Sequence, residues 1–262
     1  NIAFGLEMQG VPKAERKERV TEALDLVELQ GYEERGANEL SGGQKQRVAM
    51  ARSIVQEPDV LLLDEPLASL DRALRERLQV ELKNIQEQLG ITFIHVTHDQ
   101  EEALSMSDRI AVMNEGEVEQ TGEVTELYEP PDTRFVADFL GETNLFDGAV
   151  TRHDDYVALD SDLEIRLDGS VLNGEVVDRS SVTYTVRPES LLVSDVEPTV
   201  GNVWRGTIKN AIYKGQNTLY EITVGDRVLK VLQQRTRDVA LHDEGDEVFV
   251  GFDDAEGEIV TD

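Results

Sequence analysis

The chain has 262 residues, 39% of them hydrophobic, which leaves room for two modest domains with real cores. No run approaches the ~18–20 apolar residues of a membrane span, the first residues do not read as a secretion signal, and the lack of cysteine removes disulfides, thiolate metal sites and cysteine nucleophiles together. The net charge of −29 is spread evenly, with 29 acids and 14 bases in residues 1–141 and 25 and 11 in residues 142–262, so it is neither a local acidic tail nor a surface that would attract nucleic acid.

From Val11 to about Leu29, the residues Val20, Ala23, Leu24, Val27 and Leu29 recur at helical spacing, with Pro12 well placed at the helix start. Gly31 through Asn38 read as a turn leading into Leu40-Ser41-Gly42-Gly43-Gln44. Ser41 can cap a helix there, and the two glycines let backbone N–H groups approach a ligand closely. The unpaired donors and dipole of a helix N-terminus suit an anion such as phosphate. The helix expected over 44–56 turns Val48, Ala49, Ala51, Ile54 and Val55 inward, and Pro58 prepares a strand at 60–64. That aliphatic run ends abruptly in Asp64 and Glu65. A strand covered on both faces reads this way, and ligands of open α/β sheets sit at the strand's carboxyl end. Asp64 is therefore placed to hold Mg²⁺ and Glu65 to polarise a water, as phosphoryl transfer requires.

Residues 72–89 predict a long helix with Leu74, Leu78, Leu82, Ile85 and Leu89 as its buried stripe, closed by Gly90. Ile91–Thr97 predicts a second buried strand, and Asp99 a cap for the helix that follows. Arg109–Asn114 and Glu117–Thr121 pair around Glu115-Gly116. Strand–helix–strand alternation predicts a mainly parallel sheet. Beyond Pro130-Pro131 and a short helix around Phe135–Leu140 the composition changes. Val182–Val186, Thr218–Val224, Val228–Leu232 and Val248–Val250 are short alternating runs, which predict a small all-β barrel or sandwich with its boundary near Gly141.

Four of these stretches resemble the ATPase subunits of ABC-type importers. Leu40–Gln44 is similar to their signature motif, Leu61–Pro66 to their Walker B strand, Ser69-Leu70-Asp71 to their D-loop, and His98 to their switch histidine. The later part resembles their regulatory β-domain, the OB-like module called TOBE, in which Arg187-Pro188-Glu189 matches a motif. The resemblance implies an α/β fold of the P-loop NTPase type: a partial ABC cassette over residues 1–141, then an OB-like β-domain over 142–262. It implies ATP and Mg²⁺ as cofactors, Glu65 and His98 as catalytic residues, and Asp64 on the metal directly or through water. Ser41, Gly42, Gly43 and Gln44 are implied to bind ATP held mainly by the opposite subunit of a head-to-tail homodimer, with Asp71 across the same interface. For Asp71 a plain helix cap is the bland alternative. Implied partners are a second ATPase subunit, transmembrane permease subunits and an extracytoplasmic solute-binding protein, at the cytoplasmic face of the cell membrane.

No G-x-x-x-x-G-K-S/T phosphate loop occurs in the chain, which also does not open on Met. It is therefore expected to begin inside the ATPase domain, without the phosphate and glutamine loops, and to be inactive alone. Asn1–Gln9, Gly90–Asp108 and Gly141–Phe146 are closest in wording to importers of spermidine and putrescine. Importers of sugar, iron, thiamine or sulfate share most of the motifs, and a non-catalytic regulatory fragment stays open. His95 is expected to pack in the core or at an edge, and His153, His242, Lys45 and Arg47 to lie at the surface. The even, lysine-poor acidity suggests adaptation to high salt.

Overall fold

Residues 1–68, 70–154, 156–171, 177–236 and 239–260 are described by the computed structural model, and they fall into two units, Asn1–Asp108 and Arg109–Asp262.

The first unit runs α1 (Phe4–Met8), α2 (Lys13–Leu26), α3 (Gly42–Ile54), β1 (Val60–Asp64), α4 (Arg72–Leu89), β2 (Thr92–Val96) and α5 (Gln100–Met106). Pro12 precedes α2 with its φ preset at −59°, and Ala23 and Leu24 turn inward. In α3 the phase differs slightly from expectation. Ala49 is exposed and Met50 takes the inward position beside Ala51 and Ile54. Leu78, Leu82 and Ile85 of α4 are buried and Leu89 packs against the same core, while Gly90 ends the helix at φ +63°. The side chain expected of Leu74 and the residue Ser69 lie outside the described residues.

β1 and β2 pair in parallel, Val60 opposite Thr92 and Asp64 opposite Val96. Leu61, Leu63 and Phe93 join the core on one side. Val60, Leu62, Ile94 and Val96 on the other face are 46–72% exposed. The expectation of strands covered on both faces thus holds for one face only, because the described helices pack their apolar stripes on the side of Leu61, Leu63 and Phe93.

The second unit opens with the hairpin of β3 (Arg109–Asn114) and β4 (Glu117–Glu123). Glu115 and Gly116 both have positive φ, the turn that matches strand twist. α6 (Val124–Tyr128) and α7 (Arg134–Phe139) follow, and Val112, Leu127, Val136 and Leu140 form a small core of their own. The remainder is β5 (Asn144–Arg152), β6 (Val157–Asp160), β7 (Ile165–Leu167), β8 (Ser181–Val186), β9 (Leu192–Ser194), β10 (Asn202–Tyr213), β11 (Asn217–Val224), β12 (Arg227–Gln234), β13 (Glu247–Phe252) and β14 (Gly257–Val260). These make two five-stranded antiparallel sheets, ordered β12-β11-β10-β13-β9 and β14-β8-β5-β6-β7. Both contribute to one core, with Phe146 and Tyr184 from one sheet and Tyr220, Val231, Val250 and Phe252 from the other. Gly206 in β10 lets the neighbouring strand β11 approach closely: a Cβ there would lie 2.6 Å from the Ile222 side chain and 2.8 Å from the Thr223 carbonyl oxygen. The expected order, an α/β portion followed by an all-β module, is the order observed.

Candidate active site

The start of α3 is built by local chemistry. The Ser41 hydroxyl accepts the Gln44 N–H at 3.3 Å while the Gln44 side-chain oxygen accepts the Ser41 N–H at 2.9 Å, a reciprocal capping box. The Gln44 amide also donates to the Tyr32 hydroxyl at 3.1 Å. The side chain of Gln44 is therefore spent on the helix entry. A Cβ built on Gly42 would meet nothing within 4 Å.

The second cluster lies where the two parallel strands end. Asp64 is the last residue of β1 and is exposed. Glu65 follows with φ +43°, a backbone region that side chains bearing a Cβ rarely occupy. Its N–H donates to the Val96 carbonyl at 2.9 Å, which ties the bend to the end of β2. His98 lies two residues beyond that strand, and its Nδ1 is 3.0 Å from Glu65 Oε1. Both side chains face solvent, 74% exposed for His98 and 50% for Glu65. With Nδ1–H donated to the carboxylate, imidazole Nε2 is left as an acceptor, and the second oxygen of Glu65 can accept a proton from water. Among the described residues no group of three or more His, Cys, Asp or Glu could hold a metal ion. A lone strand-end carboxylate still fits Mg²⁺, which keeps most of its shell for water and phosphate oxygens and takes one or two protein carboxylates.

Glu65 and His98 are thus brought together, and Asp64 adjoins them. Asp71 is exposed and its carbonyl accepts the Arg75 N–H at 2.9 Å, opening α4. Among the described residues no hydrogen bond links Ser41–Gln44 to Glu65 or His98.

Behind this site is a buried polar cluster that sequence reasoning missed. Glu102, 1% exposed, accepts the Thr97 hydroxyl at 2.7 Å, and His95 Nε2 lies 3.5 Å from the same oxygen. Burial pushes the His95 imidazole below its ordinary value, only partly opposed by Glu102. The expected cap is present: Asp99 accepts the Glu101 and Glu102 N–H groups at 3.0 and 3.3 Å. Two surface expectations need correction. Arg47 is partly buried, paired to Glu81 at 2.7 Å and Glu28 at 3.4 Å, because α3 packs that face inward. His242 is 4% exposed, its Nδ1 3.3 Å from Asp195 and its ring edge-on to Tyr220. His153 and Lys45 are at the surface, as expected.

Residues 3–68 match the family model described as ABC transporter, and residues 184–257 the model described as TOBE domain. The spermidine/putrescine import ATP-binding protein PotA of Rubrobacter xylanophilus is 46% identical over 256 residues, covering 97% of this chain and 67% of that one. The chain belongs to the ABC transporter family. The PotA protein of Borreliella afzelii is 47% identical over 254 residues, 97% of this chain and 70% of that protein, and that of Trichodesmium erythraeum 47% over 238 residues, 87% and 62%. The chain therefore spans about two thirds of the length of these relatives. Among solved structures, cbiO1 from Clostridium perfringens, part of the ABC transporter complex cbiONQ, matches at 36% identity over 50% of this chain and 52% of that one, with a TM-score of 0.47. Within this ABC family chain the matched cassette stretch contains Ser41–Gln44, Asp64 and Glu65, while Asp71 and His98 lie beyond it. The matched TOBE stretch contains Arg187-Pro188-Glu189.

Proposed function

We propose that the chain is the ATP-hydrolysing subunit of an ABC-type importer that energises polyamine uptake, with spermidine and putrescine as the solutes. The observation that carries the hydrolytic part is the 3.0 Å contact between Glu65 and His98 at the ends of two parallel strands. The solute follows from relatives bearing spermidine/putrescine import in their names. Residues 1–141 are taken as the ATPase portion and 142–262 as the TOBE portion, with the small core of Val112, Leu127, Val136 and Leu140 lying beside the β-module in the second unit.

In this reading Glu65 polarises the attacking water and receives its proton. His98, oriented through Nδ1 by Glu65, contacts the γ-phosphate. Ser41, Gly42 and Gly43 offer backbone donors at the start of α3 to ATP held by the opposite subunit of a homodimer. The open space beside the Gly42 Cα supports that role. Gln44 contributes by holding the cap, and Asp71 stands at the same subunit interface. Asp64 would hold Mg²⁺, which when bound neutralises charge on the phosphates. No G-x-x-x-x-G-K-S/T loop is among the 262 residues, so none of them is assigned the grip on the β- and γ-phosphates. No helix of the described residues is long and apolar enough to cross a membrane, and the subunit docks on permease subunits at the cytoplasmic face, with a solute-binding protein on the far side.

The test is solute uptake by the assembled importer in vesicles supplied with ATP. ATP-dependent accumulation of spermidine, absent with maltose or ferric iron as the offered solute, is expected. Uptake of one of those with no response to spermidine would contradict the polyamine reading.

A further inference from the structure

The His98 ring is largely exposed and among the described residues it meets Glu65, so its place is set chiefly by the residues beside it. Both neighbours are tied down. Thr97 donates its hydroxyl to buried Glu102 at 2.7 Å and accepts the Asp99 N–H at 3.0 Å. Asp99 spends one oxygen on the cap of α5 and turns the other to Arg75, whose Nη1 donates to it at 2.5 Å. Arg75 lies in the first turn of α4. Its Nη2 donates to the Leu70 carbonyl at 3.4 Å, and its Nε lies 3.7 Å from Glu102. One guanidinium thus joins the turn after Glu65 to the residue after His98.

We propose that Arg75 is a positioning residue that locks the His98 loop to the Leu70-Asp71 turn and so keeps the His98 ring on Glu65. Its catalytic consequence rests on the hydrolytic reading above. Arginine suits the task because its planar fork serves three directions at once, whereas a lysine ammonium on a flexible stem serves one or two. The guanidinium also supplies the positive charge beside Asp99 and Glu102. His95, also near Glu102, is held toward its neutral form by burial.

The experiment uses the intact protein with ¹⁵N-labelled histidine and the variants Arg75→Ala, Arg75→Lys, Glu65→Gln and Arg19→Ala. Arg19 is the control: a partly buried arginine of the same unit, bound to the Val55 carbonyl at 2.9 Å and to Glu57 at 2.9 Å. The His98 ring signals of Arg75→Ala are expected to move to those of Glu65→Gln, with Arg75→Lys intermediate and Arg19→Ala unchanged. In the assembled importer, Arg75→Ala is expected to lower kcat about 10-fold or more while KM for ATP changes less than about 2-fold, since misplacing a catalytic group costs turnover rather than ground-state binding. Unmoved His98 signals, or an equal kcat loss in Arg19→Ala, would overturn the proposal. Should Arg75→Ala fail to fold, Arg75→Lys carries the same comparison. A wild-type assembly that hydrolyses no ATP would sink the hydrolytic reading, while the ring signals still decide whether Arg75 positions His98.

Discussion

Glu65 occupies a left-handed backbone conformation that costs free energy and that a glycine would accept without strain. The Val96 carbonyl and the His98 ring hold it there. Glu65 was a candidate in the sequence because a carboxylate ends an aliphatic run there, whereas His98 stood out only through the resemblance to the switch histidine of ABC-type importer ATPases, since a lone strand-end histidine has a plain structural reading. The supporting residues were not legible. Arg75, Glu102 and Arg47 look like ordinary charged helix positions, and only packing of α3, α4 and α5 shows that they face inward. His95 gives a pH prediction at this scale. Burial lowers its folded-state value below the ordinary 6.5, so the unfolded chain binds the proton more readily. Stability is then fully present above pH 6.5 and is lost as pH falls below it. Thermal melts over that range should show this slope, and His95→Gln should flatten it; an unchanged slope would remove His95 as its source.

At the scale of elements, α2 to α5 and the two parallel strands of the first unit were legible because their ends carry strong signals, Pro12, Ser41, Gly90 and Asp99, whereas the five-residue α1 was too short to show a period. The β-module was less so. The twelve residues of β10 escaped because Gly206 and the register shift between Ile208 and Asn210 interrupt its alternation. Arg187-Pro188-Glu189 was visible as a motif but its role was not. Arg187, 5% exposed, donates to the carbonyls of Ala137 and Gly141 at 2.9 and 3.2 Å and to that of Tyr128 at 3.4 Å, with its guanidinium 4.2 Å over the Tyr128 ring. The Tyr128 hydroxyl donates to Glu189 at 2.7 Å, and burial with that carboxylate pushes its ionisation up to about 12. The motif therefore clasps α6 and α7 onto the β-module. Arg187→Lys keeps the charge but cannot serve these carbonyls together, and should cost about 2–3 kcal/mol of stability by denaturant titration. A loss under about 0.5 kcal/mol, as for an ordinary surface substitution, would show the clasp to be idle.

Across the whole molecule, the charge of −29 acts on stability rather than on any one site. At ~0.1 M salt the screening length is about 10 Å, so neighbouring acids repel; at ~1 M it is about 3 Å. Melting temperature should rise between low salt and molar KCl, and a flat or falling curve would refute the high-salt reading. The uncovered apolar face of Val60, Leu62, Ile94 and Val96 also belongs to this scale. The sequence pattern expected cover on both faces, and whether a run of four aliphatic residues finds a second covering layer depends on residues distant from it.

The hydrolytic account stands or falls on Glu65. The decisive measurement is single-turnover ATP hydrolysis by the assembled importer, with wild-type and Glu65→Gln subunits compared at saturating nucleotide. Loss of a general base typically costs about 10²–10⁴ in rate. The account predicts a fall of at least ~10²-fold in Glu65→Gln with ATP affinity kept within about 3-fold. A Glu65→Gln importer that hydrolyses ATP at the wild-type rate would contradict it.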